Sequence, residues 1–385
     1  MQIPGPTNIP DRLLRAMDRP VINHRGAAFA DVSKAIFPKL QKLFKTEKGS
    51  PLVFPTSGTG AWECSLVNTL SPGDRVLAFD IGNFSGEFSH AAANLGYDVI
   101  PVQLPPGSGI PAERVYQELS GDGDKRIKAV LAIHNETATG VTANIPAIRE
   151  AIDRAGHPAL FVVDTVSGVG SIDFRFDEWG VDVAVTGSQK GLMLPPGLGL
   201  LCVSEKAREA HRHSTSPRHF FDWGAMFEAN AAGFYPYTPA TPLIFGLTEA
   251  LDMLLEEGLE NVFARHKRLA TGVRKAVAAW GLELLAEKPE EASDVLTVVV
   301  VPDHVDSNAL VSHAENDLEL ALGGGLGPLN GRVFRIGHLG WLNDLEVLAT
   351  LAGVEMALHT HGMKLALGSG VAACQQWFMD SRNGG

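Results

Sequence analysis

Cysteine is scarce in this chain. Its three copies, Cys64, Cys202 and Cys374, fall in no metal-ligand spacing and leave one unpaired in any disulfide scheme, which points to a reducing compartment. No apolar run approaches the roughly 20 residues of a membrane span. The opening Met1-Gln2-Ile3-Pro4-Gly5-Pro6 lacks the charged and apolar regions of a secretory leader. Cationic excess is missing too: the formal net charge is -12, which argues against nucleic acid or an anionic membrane as the main partner. A small anion senses local rather than total charge and is not excluded. Both familiar nucleotide fingerprints are absent, G-x-x-x-x-G-K-[ST] and a strand-turn-helix G-x-G-x-x-G. The expectation is a soluble, intracellular globular protein, with the cytoplasm as the default compartment.

What is present is apolar content enough for a large core: 385 residues, 45% hydrophobic. Between 51 and 155, strands alternate with helices, the pattern of a mainly parallel sheet with crossover helices. Strands are expected over 51–55, 75–79, 97–103, 128–133, 159–163, 181–185 and 200–203. Helices are expected over 11–17 (capped by Asp11), 29–44 and 61–70. Residues 205–240 read as irregular. Helical spacing returns over 243–255 and 259–280, and these helices link two domains. The remainder reads as a smaller α+β unit, with strands 296–301 and 333–337 and helices 307–313 and 344–359. The chain therefore divides into an arm (1–20), a large domain (21–257) and a small domain (258–385).

Several residues carry chemistry, each with a plainer reading beside it. Lys190 lies in Thr186-Gly187-Ser188-Gln189-Lys190-Gly191, between two apolar, glycine-punctuated segments. Shielding from water disfavours its ammonium form and would make it a nucleophilic amine; the alternative is a solvent-facing loop lysine. Asp164 ends the continuous apolar run 159–163, where a buried carboxylate is costly unless paired. A protonated ring nitrogen of a cofactor would pair it; so would a helix cap or a local ion pair. Thr56-Ser57-Gly58-Thr59-Gly60 leads into a helix and offers backbone N–H groups and a favourable dipole to a single phosphate, or is an ordinary cap. Phe84 stacks on a flat ring or is simply core. The polar cluster from His134 to Gly140 sits at a strand end, where ligands of open α/β sheets bind. Arg335 interrupts an apolar strand, and either a substrate carboxylate or a structural salt bridge satisfies it. Together, these pieces suit pyridoxal phosphate.

The chain resembles the class V aminotransferases of fold type I, in particular the serine–glyoxylate and alanine–glyoxylate group, over nearly its whole length. The resemblance is carried by Pro4-Gly5-Pro6-Thr7-Asn8-Ile9-Pro10, Thr56-Ser57-Gly58-Thr59-Gly60, His134-Asn135-Glu136-Thr137-Ala138-Thr139-Gly140, Gly187-Ser188-Gln189-Lys190-Gly191, Phe334-Arg335-Ile336-Gly337-His338 and Gly368-Ser369-Gly370-Val371-Ala372. It implies a large domain with a mainly parallel seven-stranded sheet and a smaller α+β C-terminal domain. It also implies that Lys190 forms the Schiff base with pyridoxal phosphate and moves the substrate proton, while Asp164 keeps the pyridine nitrogen protonated. Ser57, Gly58, Thr59 and Gln189 match the phosphate site. Tyr235 and Thr238 match residues that reach the phosphate from the other subunit of a homodimer. Phe84 takes the place of the ring-stacking aromatic, Thr137 lies beside the ring, and Arg335 holds the α-carboxylate. Arg25, with His24, is a candidate for reading the donor side chain from the neighbouring subunit. One departure stands out: after Asp164 the chain reads Thr165-Val166-Ser167-Gly168 where many relatives have Gly-Val-Ser-Ser.

The resemblance implies ping-pong transfer from a small amino acid, serine ahead of aspartate and alanine, to the keto acid glyoxylate. A cysteine desulfurase shares the fold but needs a mobile cysteine, and residues 321–332 contain none. A non-catalytic cofactor-binding paralogue should lack Lys190 or carry an added DNA-binding segment, and neither is so. A nucleotide-binding oxidoreductase lacks its fingerprint here. The C-terminal Ser381-Arg382-Asn383-Gly384-Gly385 is no recognisable peroxisomal address.

Overall fold

The structure, a computed structural model, describes residues 1–383; Gly384 and Gly385, part of the C-terminal stretch read above, lie outside the described residues. The strands of the large unit are β1 (Ser50–Phe54), β2 (Arg75–Asp80), β3 (Asp98–Gln103), β4 (Ile127–Ile133), the short β5 (Asn135–Glu136) and β6 (Val141–Thr142), β7 (Leu160–Asp164), β8 (Val183–Gly187) and β9 (Gly199–Val203). Seven of them form one sheet in the order β1-β9-β8-β7-β4-β2-β3, while β5 and β6 pair separately. The pairs from β3 through β8 are parallel, and β9 alone runs against both its neighbours. Strands β7, β8 and β9 are buried at every residue. That is why they read as continuous apolar runs: helices cover both faces and leave no solvated side to alternate toward.

The expected seven-stranded, mainly parallel sheet and smaller α+β unit are both present. The small sheet is antiparallel, β10 (Glu283–Leu284), β11 (Leu296–Val300), β12 (Gly323–Gly324) and β13 (Val333–Gly337), in the order β10-β11-β13-β12. Helix Leu259–Ala279 joins the two cores: Val262 packs into the large one, Leu269 and Val273 into the small one. Among the described residues, no helix is long and apolar enough to cross a membrane.

Several expected elements are corrected. Asp11 does not cap the first helix; it is its first residue, and Pro10 occupies the cap position without a side-chain bond. The helix expected from Ala61 starts at Gly58, because Ser57 accepts a hydrogen bond from the Gly60 N–H and so sets the cap there. Residues 205–240 are not irregular throughout but contain helices Glu205–His213 and Trp223–Ala231. In the first of these only Ala207 is buried, so no apolar stripe announces the helix; Ser204 caps it instead. Phe84 lies in the first turn of helix Asn83–Asn94.

The parallel strands all direct their carboxyl ends to one edge of the sheet, where ligands of such sheets bind. There β1 delivers the helix start at Gly58, β2 delivers Phe84, β4 delivers Asn135 to Thr137, β7 delivers Asp164, and β8 delivers Gln189 and Lys190.

Candidate active site

These residues enclose a cavity of about 240 Å³, lined by Gly5, Pro6, Ser57, Gly58, Thr59, Trp62, Phe84, Ile133, Asn135, Thr137, Asp164, Val166, Ser167, Gln189 and Lys190. The volume admits one substituted aromatic ring. Of the residues singled out from sequence, Ser57, Gly58, Thr59, Phe84, Thr137, Asp164, Gln189 and Lys190 share this lining.

Asp164 is 4% exposed. Its Oδ2 accepts the Trp62 indole N–H at 2.8 Å and its Oδ1 the Val166 backbone N–H at 2.6 Å. It forms no ion pair among the described residues, and burial pushes its carboxyl up to about 7. Neither of the two plain readings, helix cap or ion pair, accounts for it. Lys190 is partly buried, and burial, with the Arg335 guanidinium nearby, lowers its amine to about 8. Its Nζ donates to the Pro4 carbonyl of the N-terminal segment. Ser57 caps the helix beginning at Gly58, and the Gln189 carboxamide oxygen is buried with no hydrogen-bond partner among the described residues. A Cβ at Gly58 would sit 2.9 Å from Val166 Cγ2, so only glycine fits between that residue and the helix start.

Arg335 is 8% exposed. Its Nε donates to the Gly324 carbonyl at 2.8 Å and its Nη1 to the Thr137 carbonyl at 3.0 Å. No carboxylate pairs with it among the described residues, so the salt-bridge reading fails. A buried guanidinium held by neutral acceptors lacks an anion. It stands behind Thr137 and is not part of the lining itself.

Four predicted residues lie away from the cavity of their own chain. Tyr235 packs its ring 6.2 Å from that of Phe29, and Thr238 is exposed. His24 is partly buried and Arg25 is exposed, both just ahead of helix Ala27–Leu43.

Sequence reasoning gave no role to Trp62 or Glu136. Glu136 is fully buried; it accepts from the Ser85 N–H (2.9 Å), the Ser85 hydroxyl (3.2 Å) and the Ala138 N–H (2.9 Å). It thereby fixes the helix start that carries Phe84 and the turn that carries Thr137. The signal available for Trp62 was its place one helical turn after Gly58, which aims it inward beside Asp164.

The residues present fit pyridoxal phosphate. The cavity holds a helix N-terminus for a phosphate, a carboxylate short of a cation for a ring nitrogen, and an amine of lowered pKa for an aldehyde.

The class-V aminotransferase family profile matches residues 4–325. The chain is 48% identical to a serine–glyoxylate aminotransferase of Methylorubrum extorquens, over 98% of this chain and 96% of that one. It is 50% identical to an L-aspartate–glyoxylate aminotransferase of Paracoccus denitrificans, over 98% and 95%. Among solved structures, the ureidoglycine–glyoxylate aminotransferase of Bacillus subtilis superposes with a TM-score of 0.92 at 27% identity, covering 98% of this chain and 97% of that one.

Proposed function

The chain belongs to the class-V aminotransferases, and on that footing we propose that it transfers the amino group of L-serine to glyoxylate, giving hydroxypyruvate and glycine. Its cofactor is pyridoxal phosphate. When bound, this group supplies a carbonyl that carries the amino group between the two substrates and a ring that accepts electrons. The observation that carries the reading is that Lys190 and Asp164 share one cavity while Arg335, with no carboxylate partner among the described residues, holds the Thr137 carbonyl beside it.

In this reading Ser57, Gly58, Thr59 and Gln189 hold the phosphate, Phe84 and Thr137 flank the ring, and Asp164 holds the proton on its nitrogen. Arg335 binds the α-carboxylate through a bidentate pair and so orients the Cα–H bond toward Lys190. The Lys190 amine, neutral above a pKa of about 8, takes the proton from Cα at its Nζ. Two copies of the chain complete the site: Tyr235 and Thr238 reach the neighbour's phosphate, which agrees with their position away from their own cavity. His24 and Arg25 face the neighbour's donor side chain. The division into arm 1–20, large domain 21–257 and small domain 258–385 and a cytoplasmic setting belong to the same proposal; the two cores meeting along helix Leu259–Ala279 support the division.

Serine is favoured as donor by the serine–glyoxylate relative, 48% identical over 98% of this chain. An aspartate side chain would bring a second carboxylate and need a second cation. L-Aspartate is the other reading, favoured by the 50% identical relative and by Arg25 as that cation. Purified protein saturated with pyridoxal phosphate tests the choice with glyoxylate as acceptor. Serine should exceed aspartate in kcat/KM by about tenfold or more. A reversed ratio establishes aspartate as donor, and no transamination from either donor removes the proposal.

A further inference from the structure

The segment from Gln2 to Thr7 is a strap pinned at both ends. On the small unit, the Gln2 N–H donates to the Ala321 carbonyl (2.9 Å), and the Gln2 carbonyl accepts from the Gly337 N–H (2.7 Å), two residues past Arg335. On the large unit, the Thr7 N–H donates to the Gln189 carbonyl (3.1 Å) and the Thr7 hydroxyl to the Lys190 carbonyl (3.3 Å). Between these pins the strap lies in a bed cleared of side chains. A Cβ at Gly323 would stand 3.0 Å from Pro4 Cδ, one at Gly337 2.3 Å from the Ile3 carbonyl oxygen, and one at Gly340 3.2 Å from Thr7 Cβ.

Gly5 makes a second close approach, over Lys190. A Cβ there would lie 2.5, 2.7 and 2.8 Å from Lys190 Cδ, Nζ and Cε, and the residue has φ of +108°. The backbone conformation demands glycine, and a Cβ here would push aside the far end of the Lys190 side chain. The neighbouring Pro4 carbonyl is the acceptor for Lys190 Nζ.

We propose that this strap positions Lys190: the Pro4 carbonyl holds the amine whenever it is free, and Gly5 clears the path along which the side chain reaches the cavity. The inference rests on the reading of Lys190 as the cofactor-bearing lysine. A lysine side chain has many accessible rotamers, and one fixed acceptor removes much of that freedom before reaction. The acceptor's chemistry matters. A carboxylate would favour the ammonium form and suppress the nucleophile, whereas a neutral carbonyl takes one N–H and leaves the lone pair of the neutral amine for the cavity.

The test uses the full-length apoprotein and two ligands of the same ring and phosphate. Pyridoxal phosphate carries the aldehyde; its attachment joins Nζ to the aldehyde carbon and releases one water. Pyridoxamine phosphate has no aldehyde and reports binding alone. Attachment is read as borohydride-trapped mass on Lys190, and binding as tryptophan quenching. In Gly5→Ala, attachment should slow by about tenfold to a hundredfold, several-fold more than pyridoxamine phosphate affinity falls. Thr7→Val, which keeps the backbone pin and loses the hydroxyl bond, should slow attachment by a few-fold at unchanged affinity, and it stands in if the Gly5 variant does not fold. Equal attachment rates in variant and wild type, or equal loss for both ligands, would overturn the strap's role. Wild-type protein that binds neither ligand would overturn the reading of the site, and the strap's role with it.

Discussion

The Trp62 indole N–H donates to Asp164 Oδ2 across 2.8 Å, and the Val166 N–H holds the other oxygen at 2.6 Å. Both oxygens are thus oriented before any ligand arrives, yet no cation pairs with them among the described residues. Burial outweighs the two bonds and leaves the carboxyl near 7. The chain keeps an aspartate in a place that disfavours its charge, and a protonated ring nitrogen relieves this.

Trp62→Phe removes the indole donor while retaining an aromatic ring beside Phe88, which Trp62 stacks at 5.1 Å. Asp164 Oδ2 is then buried without its partner, a loss of about 1–3 kcal/mol. Pyridoxal phosphate affinity should fall by about tenfold to a hundredfold, read by titrating the apoprotein, with a smaller change in the melting temperature.

The raised carboxyl of Asp164 sets the sign of a stability effect. Between its ordinary value near 3.8 and about 7, the folded apoprotein holds a proton that the unfolded chain has released. This contribution is present in full below the lower value and is lost as pH climbs through the upper one. Apoprotein should therefore lose stability relative to Asp164→Asn as pH rises from about 4 to about 7, by an amount on the order of a few kcal/mol. Saturation with pyridoxal phosphate should abolish the difference in slope. Denaturant melts across that pH range measure it.

Arg335→Lys keeps the charge and loses the planar fork. Amino donor and keto acid both present a carboxylate, so KM should rise for both by about tenfold to a hundredfold, with cofactor affinity unchanged. A rise for one substrate alone would mean that Arg335 serves only one half-reaction. Initial rates with each substrate varied in turn distinguish the two.

The sheet and most of the cavity were legible in sequence because their signals are local. The run ending in Asp164 and the turn around Ser57 and Gly58 each place a residue at a strand's carboxyl end within a few positions. The strap was not legible in that way. Its motif stood out, but Pro4 meets Lys190 across 186 positions, and spacing carries no trace of such a contact. Helix Trp223–Ala231 was missed because only Trp223 and Met226 are buried, too few to mark a face. Tyr235, Thr238, His24 and Arg25 were legible only by resemblance, since nothing in one copy of the chain brings them to the cavity.

The departure after Asp164 has a steric explanation that two substitutions probe. Many relatives read Gly-Val-Ser-Ser where this chain reads Thr165-Val166-Ser167-Gly168, so the hydroxyl side chain has moved from the last position to the first. Thr165 Oγ1 lies 3.2 Å from His134 Nδ1 and accepts the Val169 N–H at 3.1 Å. A Cβ at Gly168 would come 2.6 Å from that same Oγ1 and would crowd the His134 ring. Burial lowers His134 to about 4, so the ring is neutral at pH 7 and cannot escape to solvent. Gly168→Ser alone should cost about 1–3 kcal/mol through overpacking. Thr165→Gly alone should cost a similar amount, through a lost hydroxyl and added chain entropy. The double variant restores the relatives' arrangement and should be more stable than the sum of the single losses by about 1 kcal/mol or more. Strict additivity in a denaturant double-mutant cycle would show that the two positions do not share that space.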